Sequence, residues 1–226
     1  MKRCLVFDLD DTLYLEREYA LSGFHAVDQY VRGKWAASGF YALAERLLLE
    51  GARGNIFDLA LADLGLDCDA DTINELVAIY RGHEPSIILL EDARWALENY
   101  VKILPLALIT DGYATTQKRK LAVLDVANYF QKVVITDEIG REFWKPSSEP
   151  YRIVEEFFDF PGESCTYVAD NPRKDFVTAN ERGWNTVRII RDQGEYQAVG
   201  ESRVEYQAKC TVQSLYELPQ VLKEVV

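Results

Sequence analysis

Acidic residues follow the first apolar run of the chain, in the sequence VFDLDDT at residues 6–12. If this run is a β-strand, its side chains alternate between two faces, so Asp8 and Asp10 point the same way, about 7 Å apart. Asp11 lies directly behind them. Carboxylates crowded at the end of a buried strand repel one another, so either their pKa values rise or a cation neutralises them. With little histidine or cysteine nearby, the pattern predicts an oxygen-seeking cation, Mg²⁺ before Ca²⁺.

Other reactive side chains follow three later apolar runs. LALITDG ends with Thr110 and the flexible Gly112, where backbone N–H groups can cradle an anion; FWKPSSEP contains Lys145, and YVADNPRKD contains Asp170 and Asp175. Taken singly, each residue is better explained by a cap, a turn or a solvated loop. Taken together, a hydroxyl, a lysine and several carboxylates at one edge of a parallel sheet predict a site for a phosphate group and Mg²⁺.

The apolar runs that carry these residues are short, rich in β-formers and mostly without alternation, which is typical of strands covered by helices on both faces. We predict central strands at Cys4–Phe7, 104–109, 133–135, 166–169 and 186–190, and an edge strand at 208–212. Helical spacing of apolar residues predicts helices at 114–129, 148–158 and 173–182. The alternation predicts an α/β fold with a doubly wound parallel, Rossmann-like sheet.

The segment from 16 to 100 breaks this alternation, because it contains several helix-like stretches and no convincing strand. It is far longer than the dozen or so residues that a crossover between parallel strands needs. We therefore predict an inserted all-helical cap subdomain at 16–100 and a catalytic core formed by 1–15 and 101–226. Ligands of open α/β sheets bind beyond the carboxyl ends of the strands, where such an insert would cover them. The polar segment 192–209 predicts a long loop or hairpin, before a final helix interrupted at Pro219.

The composition and net charge of the chain exclude several classes of protein function. The chain has 226 residues, of which 48% are hydrophobic and 27% charged, as in globular proteins. Its formal charge of −12 repels nucleic-acid phosphates and anionic lipid headgroups. No apolar run is long enough to span a bilayer, and the N-terminus turns acidic before a signal peptide could form, which indicates a cytoplasmic protein. The four cysteines are far apart in the sequence, so they predict neither a disulfide framework nor a zinc site. We expect each of them to be a small buried side chain: Cys4, Cys68, Cys165 and Cys210.

The chain resembles the haloacid dehalogenase superfamily of aspartate-nucleophile phosphotransferases. The residues that carry the resemblance match the four motifs of that superfamily in order and position: DLDDT at 8–12, Thr110, Lys145, and the pair Asp170 and Asp175. The resemblance spans residues 8–175, and the helical insert is similar to the cap that one large branch carries between its first two motifs. It implies that Asp8 attacks phosphorus and becomes an aspartyl phosphate. It also implies that Asp10 protonates the leaving alcohol and later deprotonates the attacking water.

The resemblance further implies a role for each remaining motif. Thr110 would hydrogen-bond the transferring group, and Lys145 would offset the charge on Asp8 and on the phosphate. The implied phosphate-binding set is Asp8, Leu9, Thr110, Asp111 and Lys145. The implied Mg²⁺ ligands are Asp8, the Asp10 carbonyl and Asp170, with Asp175 in support. Two positions depart from the family pattern: Ala169 stands where glycine is common, and Lys145 follows Phe143 and Trp144.

Within the resemblance, Asp10 favours phosphoester chemistry, because dehalogenation has no alkoxide to protonate. The leading interpretation is an Mg²⁺-dependent phosphatase that hydrolyses a small phosphomonoester, since a cap would exclude protein and nucleic-acid chains. It would act without nucleic acid or membrane partners, as a monomer or homodimer. Tyr14 and Arg17, in or beside the insert, are candidates to contact the leaving group, Arg17 first.

Three alternatives stay open to different degrees. A phosphomutase would use the same nucleophile and return the phosphoryl group to a sugar. A non-catalytic binding module would keep the fold without the reaction, although every motif residue is present. A signalling receiver domain also uses Asp, Thr and Lys at strand ends with Mg²⁺, but its phosphorylated Asp lies on a middle strand of a chain about half as long, without a helical insert.

Overall fold

A computed structural model describes residues 3–66, 69–198, 200 and 203–224. Six parallel strands form one sheet, in the order β3-β2-β1-β4-β5-β6. The strands are β1 (Cys4–Phe7), β2 (Leu106–Thr110), β3 (Lys132–Ile135), β4 (Cys165–Ala169), β5 (Asn185–Ile189) and β6 (Cys210–Val212). The sheet and its flanking helices confirm the predicted doubly wound, Rossmann-like α/β fold.

The central strands bring the motif-bearing segments to one edge of the sheet. β1 pairs with β2 on one side and with β4 on the other, so Leu5 lies opposite both Leu106 and Thr166. Every residue of these three strands is buried, as their continuous hydrophobicity predicts. Because the chain runs outward from β1 to β3 and then returns to β4, the carboxyl ends of β1 and β4 form a topological switch point. Ligands of such sheets bind there.

The helices of the described residues are α1 (Glu16–Trp35), α2 (Phe40–Leu49), α3 (Ile56–Asp63), α4 (Ala70–Gly82), α5 (Glu91–Tyr100), α6 (Ala114–Leu124), α7 (Glu149–Phe158), α8 (Val177–Glu181) and α9 (Leu218–Glu224). Two are shorter than the sequence predicts. α6 ends at Leu124 because Asp125 adopts a left-handed conformation with φ 52°. α8 begins only at Val177, because Asn171 and Asp175 form a hydrogen-bonded turn before it.

The chain divides into two compact units, Glu18–Ser86 and a core unit of Met1–Arg17 with Ile87–Val226. This differs from the predicted insert at 16–100, which includes residues 67 and 68, outside the described residues. The difference is mainly α5, which belongs to the core unit. Its Asp92 accepts hydrogen bonds from Arg191 Nη1 at 2.6 Å and from the Leu215 N–H at 2.8 Å. An amphipathic helix alone could not reveal these distant partners.

Each unit has its own hydrophobic core. In the core unit, Tyr151, Tyr167 and Trp184 pack edge-to-face within a buried cluster that includes residues of β1, β2 and β4. In the helical unit, α1 to α4 bury a separate cluster that includes Phe40 and Leu76. No helix among the described residues has both the length and the apolar character needed to cross a membrane.

Some smaller expectations need correction. Cys4 and Cys165 are buried free cysteines, but Cys210 is only half-buried, and Cys68 lies outside the described residues. In the described part of 192–209, which omits 199, 201 and 202, the chain forms turns and a short 3-10 helix, which agrees with the predicted long loop and not with the alternative of a hairpin. The final helix is not interrupted at Pro219, because α9 begins at Leu218 and proline is tolerated in a first turn.

Candidate active site

Asp8 follows β1 directly, and its carboxylate is buried. Its backbone N–H donates to the Val168 carbonyl at 2.9 Å, so the sheet pairing continues to the candidate nucleophile. Lys145 Nζ donates to Asp8 Oδ1 at 2.6 Å. Burial raises the pKa of Asp8 to about 7, although Lys145 acts in the opposite direction. An ammonium group is therefore in direct contact with the carboxylate that the sequence singles out.

Lys145 is fully buried among oxygen atoms from three separate segments. Besides Asp8, its Nζ lies 2.8 Å from Asp175 Oδ1 and 2.9 Å from the Tyr167 hydroxyl. Burial alone would lower the pKa of Lys145, but Asp175 and Asp8 raise it well above its usual value. The side chain therefore stays charged, and the aromatic residues before it do not turn it away from the site.

Asp10 accepts hydrogen bonds from three side chains. The Tyr14 hydroxyl and Lys120 Nζ both donate to Oδ1, Lys120 at 2.6 Å, and Gln117 Nε2 donates to Oδ2 at 2.9 Å. Burial would raise the pKa of Asp10, but Lys120, Tyr14 and Gln117 together lower it below its usual value. The carboxylate is thus held ionised and in one orientation.

Thr110 is the last residue of β2 and is fully buried. Its Oγ1 accepts from Gln117 Nε2 at 2.5 Å, and it does not line the cavity described below. The next two residues, Asp111 and Gly112, line it instead. Gly112 has φ 122°, and a Cβ there would come within 3.3 Å of the Gln117 amide, which accounts for glycine at this position.

Asp111 connects three segments around the site. Its Oδ1 accepts from the Lys145 backbone N–H at 3.1 Å and from Thr136 Oγ1 at 2.8 Å. Its Oδ2 accepts from Lys174 Nζ at 2.7 Å. Burial would raise the pKa of Asp111, but Lys145 and Lys174 lower it. Asp111 therefore positions the segment that carries Lys145 and holds a second ammonium group near the site.

The two acids of the fourth motif have different surroundings. Asp170 follows β4 directly. Within the described ranges, nothing donates a hydrogen bond to its carboxylate. Burial, together with the charges of Asp175 and Asp8, raises the pKa of Asp170 well above the usual value. Asp175 is fully buried: Oδ2 accepts the Asn171 N–H at 3.0 Å, and Oδ1 faces Lys145. Asp175 lies two positions before the first residue of α8 and does not line the cavity, so it acts on Lys145 and on the turn.

A cavity of about 190 Å³ opens beside these groups. Its lining contains predicted site residues together with residues that the sequence analysis did not select. The lining residues are Asp8, Asp10, Glu16, Asp111, Gly112, Trp144, Asp170, Asn171, Lys174 and Tyr196. Lys174 carried a usable signal, because it stands between the two acids of YVADNPRKD. Tyr196 carried none, since it lies in a polar segment without a motif.

The two residues predicted to contact the leaving group have other contacts here. Tyr14 is fully buried, does not line the cavity, and donates its hydroxyl hydrogen to Asp10. Arg17 also lies outside the lining, and its Nη1 donates to Gln193 Oε1 at 3.2 Å. Leu9 is fully buried, so any contribution to phosphate binding would come from its backbone.

The carboxylates fit a divalent cation with oxygen ligands. Asp8 and Asp170 line one cavity, and burial together with neighbouring carboxylates raises the pKa of each of them. No group of three or more His, Cys, Asp and Glu side chains among the described residues is arranged to hold a metal by itself. Mg²⁺ does not need such a group, because it keeps several waters and binds through one or two carboxylates plus phosphate oxygens.

The model of the haloacid dehalogenase-like hydrolase family matches residues 2–181. The chain belongs to this family. The match includes all four motifs, and it makes the protein a hydrolase.

Proteins with similar sequences or folds match most or all of the chain. A glyceraldehyde 3-phosphate phosphatase of Methanocaldococcus jannaschii is 28% identical, and the match covers 100% of this chain and 99% of that protein. One of Methanopyrus kandleri is also 28% identical and covers 87% of both chains. A hydrolase of the same family from Bacillus subtilis, solved with magnesium, has a TM-score of 0.69 at 18% identity and covers 98% of both chains. This last likeness supports the fold.

Proposed function

We propose that the protein is an Mg²⁺-dependent phosphatase that hydrolyses a small phosphomonoester through an aspartyl phosphate on Asp8. The observation that carries the proposal is the contact of Lys145 Nζ with Asp8 Oδ1 at 2.6 Å, at the wall of a cavity that Asp170 also lines. A carboxylate approaches a phosphate dianion only if positive charge offsets the repulsion between them. Lys145 supplies such a charge through its contact with Asp8, although it does not line the cavity itself, and Lys174, which does line it, supplies a second one.

In the first half of the reaction, an oxygen of Asp8 attacks phosphorus and the bond to the leaving oxygen breaks. Asp10 transfers a proton to that leaving oxygen, so that an alcohol departs. In the second half, Asp10 takes a proton from water, and the water oxygen attacks phosphorus. The bond to Asp8 breaks, releasing phosphate. The second half requires the ionised form of Asp10, which its three hydrogen-bond donors stabilise. The first half requires the protonated form, and the proton is the one that Asp10 took from the attacking water in the preceding turnover.

Asp8, the Asp10 carbonyl and Asp170 would hold Mg²⁺. When bound, the ion supplies positive charge that neutralises the carboxylates and the phosphate oxygens. Asp175 contributes indirectly, because its carboxylate orients Lys145 at 2.8 Å.

The substrate class follows from the size of the cavity and from the relatives. A volume of about 190 Å³ is below the range of about 300–1,000 Å³ for pockets that enclose drug-sized ligands, which favours a small ester. Two relatives that match most of the chain at 28% identity are named glyceraldehyde 3-phosphate phosphatases. A three-carbon sugar phosphate is therefore the first candidate substrate.

The test is release of inorganic phosphate from a panel of esters, with Mg²⁺ or with a chelator. The panel contains glyceraldehyde 3-phosphate, phosphoglycolate, hexose phosphates and nucleotides. We expect Mg²⁺-dependent release that is fastest for a three-carbon ester, and a loss of at least about 10³-fold in Asp8→Asn. The matched control is Asp58→Asn, an exposed acid in α3, which should keep full activity. Activity that survives Asp8→Asn would refute the proposal, and transfer of phosphate to a second sugar hydroxyl would identify a mutase instead.

A further inference from the structure

Helix α6 carries two side chains that hydrogen-bond to Asp10, and one of them, Gln117, also bonds to Thr110. Gln117 and Lys120 are three residues apart, so they lie on the same face of the helix, and both are almost fully buried. Lys120 Nζ reaches Asp10 Oδ1 at 2.6 Å. Gln117 Nε2 reaches both Asp10 Oδ2, at 2.9 Å, and Thr110 Oγ1, at 2.5 Å. Burial of an amide and an ammonium group is unfavourable unless their hydrogen bonds are satisfied, and here these bonds converge on one carboxylate.

The two oxygens of Asp10 are not equally occupied. A carboxylate offers about four lone-pair sites, two on each oxygen. Oδ1 accepts from two donors, the Tyr14 hydroxyl and Lys120 Nζ. Among the residues that the structure describes, Gln117 alone donates to Oδ2. One lone-pair site on Oδ2 therefore remains for a proton, while Asp10 lines the cavity.

We propose that Gln117 and Lys120 are positioning residues that hold Asp10 with Oδ2 as the atom that takes the proton from the attacking water. This inference rests on the proposed function and adds the residues and the atom that serve its second half. In that step Oδ2 gains the proton of the water, the water oxygen bonds to phosphorus, and the phosphorus–oxygen bond to Asp8 breaks. Neither side chain needs to touch the substrate, since each acts through Asp10.

The test uses p-nitrophenyl phosphate, whose leaving group departs without a proton. The first half then needs no acid. The value of kcat/KM depends only on the steps up to formation of the aspartyl phosphate, whereas kcat also depends on hydrolysis of the aspartyl phosphate in the second half. In Lys120→Met we expect kcat to fall by about 10- to 100-fold while kcat/KM changes by less than about 3-fold, because general-base help contributes about 10²–10⁴ to a rate. Rapid mixing should give a burst approaching one p-nitrophenolate per enzyme, and Lys120→Arg should recover part of kcat.

Two further variants keep the result interpretable. Lys118→Met makes the same substitution on an exposed part of α6 and should retain kcat and show no new burst. Gln117→Met, if Lys120→Met does not fold, should also lower kcat more than kcat/KM. Equal losses in kcat and kcat/KM without a burst, or no loss at all, would overturn the positioning role while Asp8→Asn stayed inactive. If Asp8→Asn remained active, the proposed function itself would fail.

Discussion

Lys145 is the buried counter-charge of two buried carboxylates, those of Asp8 and Asp175. Its ammonium group contacts Asp8 Oδ1, Asp175 Oδ1 and the Tyr167 hydroxyl, and its side chain is fully buried. Removing one partner of a buried ion pair leaves the other charge uncompensated, which costs about 3–5 kcal/mol. The residue therefore supports both the stability of the core unit and the proposed attack by Asp8.

We predict that Lys145→Met lowers the free energy of unfolding by about 3 kcal/mol, because Asp8 and Asp175 would lose their shared counter-charge. Phosphatase activity should fall by at least about 10²-fold in the fraction that remains folded, through loss of charge stabilisation. Denaturant unfolding and single-substrate kinetics measure the two effects. Lys102→Met, the same change at an exposed position, should alter neither. A stable Lys145→Met variant with normal activity would contradict this account of the site.

At this scale the sequence predicted the acids and the lysine, because each follows a strand whose end could be located from its apolar run. Asp8, Asp10, Asp111, Asp170 and Lys145 lie close to one cavity or to its lining. The contacts of Tyr14 could not be predicted, since its hydroxyl meets Asp10 through a local bend of the chain. For Gln117 and Lys120 the signal existed: two polar residues, three apart, on the helix that follows Thr110.

α5 shows what a helical pattern leaves undetermined. Its buried Asp92 accepts from Arg191 Nη1 at 2.6 Å, from Ser214 Oγ at 2.9 Å and from the Leu215 N–H at 2.8 Å. Arg191 Nη2 also donates to the Thr12 carbonyl at 2.5 Å, in the loop that follows Asp8 and Asp10. Periodicity predicts that a helix exists and which side is apolar, but the residues that it meets more than 90 positions away are set by the tertiary fold. The strands could be assigned more securely, because continuous burial requires an apolar run of fixed length.

We predict that Asp92→Asn lowers the free energy of unfolding by about 3 kcal/mol at neutral pH, because the Arg191 guanidinium loses its counter-charge. Burial would raise the pKa of Asp92, but Arg191 and the Leu215 N–H hold it below the usual value. The native protein therefore gains stability from this group above the unfolded pKa of about 3.9, and loses it as the pH falls through the lower folded value. Urea unfolding between pH 3 and 7 should show that Asp92→Asn lacks this component. Glu91→Gln, an exposed neighbour in the same helix, should unfold like the wild type; a variant pair that behaved alike would contradict the role of Asp92.

At the scale of the whole molecule, two separate clusters of buried apolar residues account for the two compact units. Leu76 of α4 is fully buried in the cluster of the helical unit, Glu18–Ser86. Leu97 of α5 is fully buried in the core unit. The helical character of the insert and its place between β1 and β2 could be predicted from the sequence. Its length could not, because its end at Ser86 rather than near 100 depends on the contacts of α5.

The assignment of α5 can be tested by truncating one leucine in each unit. Leu76→Ala and Leu97→Ala make the same change at fully buried positions, and each should lower local stability by about 3 kcal/mol through lost burial and a cavity. Since each unit has its own core, hydrogen exchange should lose protection mainly in α2 to α4 for Leu76→Ala, and mainly in β1, β2 and β4 for Leu97→Ala. If Leu97→Ala lowered protection in α2 to α4 but not in the sheet, α5 would belong to the helical unit and not to the core unit. Equal losses everywhere in both variants would mean that the two clusters unfold as one.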